Sequence, residues 1–214
     1  MHFWYRSIVE VEAYLTNAGG LDPLTFEEAT VDAKNSRAVL EAYKQVVEAS
    51  WPEMHPNIQA RSARWSSATE EELSAELAAY LAEASKDQWP VRIFWKLAPD
   101  FAFGGCNEHF SHDAGVPTAE LIGMTDLSRR LPWRMQAAKY RADDQRVFDS
   151  GEADLDIIER QQSATGEITW VRAGKAPLRA ADGKMLGILG IYEILDADTG
   201  RRLHGEQRSK KARE

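Results

Sequence analysis

Apolar positions along the chain follow one rhythm up to Trp89-Pro90 and another after it. Before that point they recur at three- and four-residue steps, the spacing of a helix face. Phe3, Ile8, Val11 and Leu15 approximate one such face over residues 2–17. Val39, Leu40, Tyr43, Val46 and Val47 form a second, in a helix predicted over 25–50. Leu73, Leu77, Tyr80 and Leu81 form a third, ending near Lys86. Thr25 with Glu28, and Thr69 with Glu72, have the spacing of a capping box. Gly19, Gly20, Pro23 and the stretch "WPEMHPN" interrupt the helical pattern.

After Pro90 the runs become short, β-branched and aromatic, which predicts strands. "VRIFWKLA" and "DFAFGGC" read as a hairpin. "ADLDIIERQQS", "EITWVRAGKAPLR" and "KMLGILGIYEIL" read as three further antiparallel strands. Ala164-Thr165-Gly166 and Ala181-Asp182-Gly183 are their turns, and Asp-Gly is a strong hairpin signal. Between the two groups, "NEHFSHDAG" and "TAELIG" read as short helical turns, each closed by glycine. A longer helix is predicted over 132–150, with Pro132 suited to its first turn and Gly151 to its end.

Composition narrows this picture. The 214 residues are 43% hydrophobic, enough for a buried core without disulfide or metal staples. The net charge of −8 is concentrated in residues 1–90, which carry 7 Lys+Arg against 15 Asp+Glu. Residues 91–195 are near neutral, and 196–214 carry a small basic excess, so no folded part offers the basic face that phosphates require. The expectation is therefore no nucleic-acid partner. Cys106 is the single cysteine, so no internal disulfide can form. Glu10 and Glu12 interrupt the first apolar stretch, and no run approaches the length of a membrane span. These features predict a soluble cytoplasmic protein with no membrane partner. The expected organisation is a helical region over 1–88, a strand-rich domain over 89–196 and a charged tail over 197–214.

The strand-rich segment resembles a PAS domain of the bacterial sensory-box type over about residues 91–195. "FWKLAPDFAFGGCNEHFSHDAG" is similar to that family's opening hairpin and its Asn-containing turn, and "TAELIGMTD" to the segment that follows. "PWRMQAAKYRADDQRVFDSGE" resembles its long helix, and "GEITWVRAGKAPLRAADGKMLGILGIYEIL" its last two strands. The resemblance implies an α+β fold: a five-stranded antiparallel sheet with short helices on one face, here preceded by an all-helical region. It also implies a sensor that binds a small ligand or a signalling protein partner, or a ligand-free dimerisation and docking scaffold, rather than an enzyme; no kinase, cyclase or DNA-binding segment follows the last strand, so no effector domain of its own is expected. The stretch "YEILDADTG" departs from the family's Asp-Ile-Thr link to an outgoing helix. Output is therefore expected through the N-terminal helices or a separate partner; the apolar stripes of those helices need cover, and a symmetric homodimer is expected to supply it.

Candidate chemistry is sparse. The resemblance places Phe94, Trp95, Phe110, Met135, Tyr140, Trp170 and Ile191 around a ligand pocket, although a filled core would use the same residues. Alternation allows only one of Phe94 and Trp95 to point inward. His109 and His112 share one side of a helical turn and are a weak candidate metal or haem pair. Two ligands fall short of a closed zinc site, and the long helix, the family's usual source of a haem ligand, contains no histidine. A flavin thiol would have to be Cys106, which reads better as a core residue. Asp143, Asp144 and Glu159 are the conspicuous acids; Asp143 and Asp144 lie beside Arg141 and Arg146 and read as a solvated, ion-paired face. Haem and flavin remain alternatives that the sequence does not require.

Overall fold

A computed structural model describes residues 35–86, 91–162 and 166–211. All of them belong to one compact unit, residues 32–214. The predicted first helix and the Thr25–Glu28 capping box lie outside the described residues.

Helix α1 (Ser36–Ser50) buries the predicted stripe of Val39, Leu40, Tyr43, Val46 and Val47. The stretch beginning Trp51-Pro52 ends it, and a short helix α2 (Ile58–Ser62) and one 3-10 turn follow. Helix α3 (Glu70–Ala84) starts at the expected capping box. Thr69 Oγ1 accepts from Glu72 N at 3.2 Å, and Thr69 N donates to Glu72 Oε2 at 2.8 Å. Two otherwise orphaned N–H groups are satisfied, and Glu70, Glu71 and Glu72 complement the helix dipole.

Five strands follow: β1 (Val91–Leu97), β2 (Ala102–Cys106), β3 (Asp154–Gln162), β4 (Ile168–Arg179) and β5 (Met185–Leu195). They form one sheet in the order β2-β1-β5-β4-β3, with every pairing antiparallel. Gly183 closes the β4–β5 hairpin at φ +83, a conformation that disfavours any side chain. Pro177 lies beyond the last β3 pairing at Lys175, so its missing N–H removes no bond on that side.

Alternation along the strands divides the sheet into two faces. Val91, Ile93, Trp95, Ala176, Leu178, Leu189 and Ile191 share one hydrophobic cluster with α1 and α3. The cluster runs across residue 88, so the chain's own helices cover the outer face. The stripe of α1 that suggested a homodimer is buried there and needs no second subunit for cover. The other face, with Phe103, Phe110, Val171, Ala173 and Tyr192, packs against the intervening helices.

Those helices are α4 (Glu108–Ala114), α5 (Thr118–Leu121) and α6 (Ala137–Ser150). Asn107 caps α4 by accepting from Phe110 N. The same side chain accepts from Ile93 N and donates to Val91 O, both at 2.9 Å, which pins the helix to β1. The long helix begins at Ala137 rather than at Pro132. Residues 134–136 form a 3-10 turn, held by the buried Leu131 and Trp133. It ends as expected at Gly151, with φ +65.

Residues 197–214, read from their charge as a tail, are helical over Ala197–Lys211 (α7). The missing Asp-Ile-Thr motif does not prevent an outgoing helix. Asp196 Oδ1 accepts from Asp198 N and Thr199 N, a side-chain N-cap that starts it. Gly200, Leu203, His204 and Gln207 then turn toward the sheet edge.

Candidate functional site

On the inner face of the sheet two buried lysines meet two buried aspartates from the elements packed over it. Lys96 follows Phe94 at the inward positions of β1, and Lys175 follows Val171 and Ala173 at those of β4. Asp144 occupies the buried stripe of α6, which runs Ala137, Tyr140, Asp144 and Val147. Asp126 comes from the loop after α5. Lys96 Nζ lies 2.6 Å from Asp126 Oδ2 and 2.7 Å from Asp144 Oδ2. Lys175 Nζ lies 2.6 Å from Asp144 Oδ1. Trp133 Nε1 donates to Asp126 Oδ1 at 3.1 Å. The result is an alternating chain, Lys175–Asp144–Lys96–Asp126, that ties β4, α6, β1 and the Asp126 loop together.

The side chain of Asp144 is 0% exposed and that of Lys96 2%. Burial alone drives Lys96 toward its neutral form, but Asp144 and Asp126 outweigh it and hold the ammonium above its ordinary range. Burial likewise favours a protonated Asp144, and Lys96 and Lys175 outweigh it and hold the carboxyl below its ordinary range. Both are therefore charged at neutral pH. The solvated acidic face expected of Asp143 and Asp144 is thus half wrong. Asp143 pairs with Arg146 at 2.7 Å near the surface, while Asp144, about 100° further round the helix, turns inward.

A cavity of about 40 Å³ opens between this network and the helices. Phe94, Phe103, Phe110 and Trp133 supply aromatic walls, with Lys96, Lys175, Asp126, Tyr140, Glu159, Gln161 and Tyr192 as the polar groups. Phe94 packs against Phe110 and Phe103, with ring centroids 4.7 Å and 5.9 Å apart. Tyr192 donates to Asp113 Oδ2 at 3.0 Å and accepts from Gln161 Nε2 at 2.9 Å. Burial, then the charge of Asp113, raises its hydroxyl pKa well above the ordinary value. Burial, then Glu159, raises that of Tyr140. Both stay neutral hydrogen-bonding groups.

Of the residues expected around a pocket, Phe94, Phe110 and Tyr140 line the cavity with their side chains. Ile191 borders it, although its side chain joins the outer-face cluster. Three others lie elsewhere. Trp95 points to the outer face, where it lies over Gly105; a Cβ built there would stand 2.2 Å from the indole. Met135 is 84% exposed, because the 3-10 turn replaces the first turn of the expected helix. Trp170 sits under α7, 5.2 Å from the ring of His204. His112 is 89% exposed and lies 3.9 Å from Asp113, while the half-buried His109 leaves Nε2 without a partner. Among the described residues no group of three His, Cys, Asp or Glu side chains could hold a metal ion. Glu159 pairs with Lys139 at the cavity rim.

The residues present fit neither haem nor flavin. Among the described residues no histidine or cysteine lines the cavity, and its volume is far below the roughly 300–1,000 Å³ of typical cofactor pockets. Cys106 lies 3.5 Å from Thr118 Oγ1 outside the lining, and burial pushes its thiol up to about 11, away from the reactive thiolate.

A family model described as the PAS fold matches residues 85–195, more than half of the 214. No curated protein matches the chain. Among solved structures, a PAS domain from Colwellia psychrerythraea is similar at 17% identity and TM-score 0.43, over 53% of this chain and 92% of its own. A light-oxygen-voltage domain is similar at 15% and 0.48, over 63% and 96%. VqmA in a ligand–DNA complex, from Vibrio cholerae, is similar at 20% and 0.43, over 47% of this chain and 45% of its own. The match thus spans about half the length of the VqmA chains. The expectation of no nucleic-acid partner does not stand, because a receptor of similar fold is found bound to DNA. Net charge describes the surface of one domain and says nothing of what another part of a protein contacts. No described helix is long and apolar enough to cross a membrane.

Proposed function

Because the chain belongs to the PAS-fold family over residues 85–195, we propose that it is a sensor module whose input is a small molecule held against the Lys96–Lys175 wall. The module binds and responds rather than catalyses. Both buried carboxylates are committed to lysines, so neither is free to move a proton. One observation carries the reading: the cavity wall contains a charge chain anchored at once on β1, β4, α6 and the Asp126 loop. A ligand that re-aims one member changes the partners of the rest, and with them the packing of α6 on the sheet. The outcome is a population shift between two packings, available to a partner that contacts α7 or the N-terminal helices. The differential affinity of the ligand for the two packings sets the size of the response.

Hydrogen exchange tests this. Protein purified without denaturant is compared with the same protein unfolded in guanidinium, dialysed and refolded, which strips bound molecules. The stripped form is expected to exchange faster in residues 94–110 and 133–147 and in α7. Identical exchange in the two forms contradicts the proposal.

A further inference from the structure

The hydrogen-bond inventory of the cavity indicates what it accepts, given the sensor reading on which this inference rests. Lys175 Nζ, on a side chain only 6% exposed, spends one donor on Asp144. Its two other N–H groups meet no acceptor among the described residues. Lys96 is better served, with two carboxylates and the faces of Phe94 and Phe103 at 5.2 and 5.0 Å. Across the cavity, Gln161 has a defined orientation. The Tyr192 hydroxyl gives its proton to Asp113, so it must accept, and the group facing it is the NH₂ of Gln161. The carbonyl oxygen of Gln161 therefore faces away from Tyr192, with no donor to it among the described residues. The polar wall thus offers spare donors on Lys175 and a spare acceptor on Gln161.

Charge selects between ligands that could meet both. Lys96, Lys175, Asp126 and Asp144 sum to zero, and Glu159, the other carboxylate of the lining, is offset by its partner Lys139. A carboxylate would leave the buried set with a net negative charge, beside Asp126 on the same wall. A buried net charge costs more than an unmet donor, so a neutral acceptor is favoured over an anion. Size narrows the choice again, since 40 Å³ accommodates about three water-sized groups. We infer that the cavity takes the head of a small neutral carboxamide, its carbonyl oxygen accepting from Lys175 and its N–H donating to Gln161. The three heavy atoms of N–C=O match the space, and the flat group stacks against Phe94 and Phe110.

Acetamide and its isosteric anion acetate provide the test, titrated into the full chain and followed by NMR. Acetamide is expected to give saturable shifts at cavity residues, and acetate none. Lys175→Met and Gln161→Leu should each weaken acetamide at least about tenfold, the loss of one good hydrogen bond to a charged or carbonyl partner. Lys175→Met leaves Asp144 half-paired, so Gln161→Leu, which spares the charge chain, is the decisive variant if the first does not fold. Acetate binding as tightly as acetamide, acetamide giving no saturable shift, or unchanged affinity in Gln161→Leu each overturns the inference. If a different class of molecule is recovered from natively purified protein while acetamide stays silent, the amide class falls and the sensor reading stands. If no molecule is recovered and neither probe binds, both fall.

Discussion

Replacing Asp144 with asparagine deletes one charge from a fully buried set and keeps nearly the same volume. The native side chain accepts from Lys96 at 2.7 Å and from Lys175 at 2.6 Å. In Asp144→Asn, Lys96 keeps Asp126, but Lys175 loses its single ionic partner among the described residues while still buried. Breaking a buried pair by removing one partner costs about 3–5 kcal/mol, because the remaining charge is uncompensated. For a unit of this size the urea dependence is about 2 kcal/mol per molar, so the unfolding midpoint should fall by about 1.5–2.5 M. The double variant Asp144→Asn/Lys175→Met returns the buried charge to zero. It should recover at least about 1 kcal/mol relative to Asp144→Asn alone, which is non-additivity of the size expected for residues in direct contact. Urea unfolding followed by circular dichroism measures both. A loss below about 1 kcal/mol in the single variant, or a double variant less stable than the single, would refute the charge-chain account.

Three further outcomes follow. His55, buried against Tyr43 and Tyr80, has a pKa lowered from 6.5 chiefly by burial, so the fold favours its neutral form. Its stabilising contribution is therefore present above pH 6.5 and is lost as pH falls below it, tempered by Glu83 at 3.6 Å; His55→Gln should flatten stability between pH 7 and 5, and an unchanged slope contradicts this. A Cβ at Gly200 would stand 2.2 Å from Trp170, so Gly200→Val should lift α7 from the sheet edge, seen as faster hydrogen exchange in 197–211 with the sheet protected as before. Asn107→Ala strands Ile93 N–H and Val91 C=O, and should cost about 2–4 kcal/mol in chemical denaturation; a cost below 1 would show that water replaces the side chain.

The strands were legible because they are short β-branched and aromatic runs bounded by turn residues, and α3 because an apolar stripe follows a capping box. The charge chain was not read, although its signal is present. Lys96 and Lys175 each continue an apolar series on one face of a strand, and Asp144 stands four residues after Tyr140 and three before Val147 on a helix stripe. A charge on an apolar face costs too much to bury alone. Three such charges of mixed sign on neighbouring elements therefore imply one another, but only once the elements are known to face each other. The adjacent Arg141 and Arg146 gave Asp144 local partners that the tertiary contact overrides. Met135 was misplaced because a helix was expected to start at Pro132. Trp170 was misplaced because α7, nearly all polar in sequence, covers it through Gly200 and His204.

The cavity-filling variant Ala173→Val tests the central claim most directly. Ala173 lies on the inner face among the lining residues, and valine suits a strand. Native mass spectrometry of the full chain, purified without denaturant, should detect a bound small molecule on the parent protein and none on the variant, with thermal stability retained. The same added mass on both, or none on the parent, would contradict a sensor that takes its signal in this cavity.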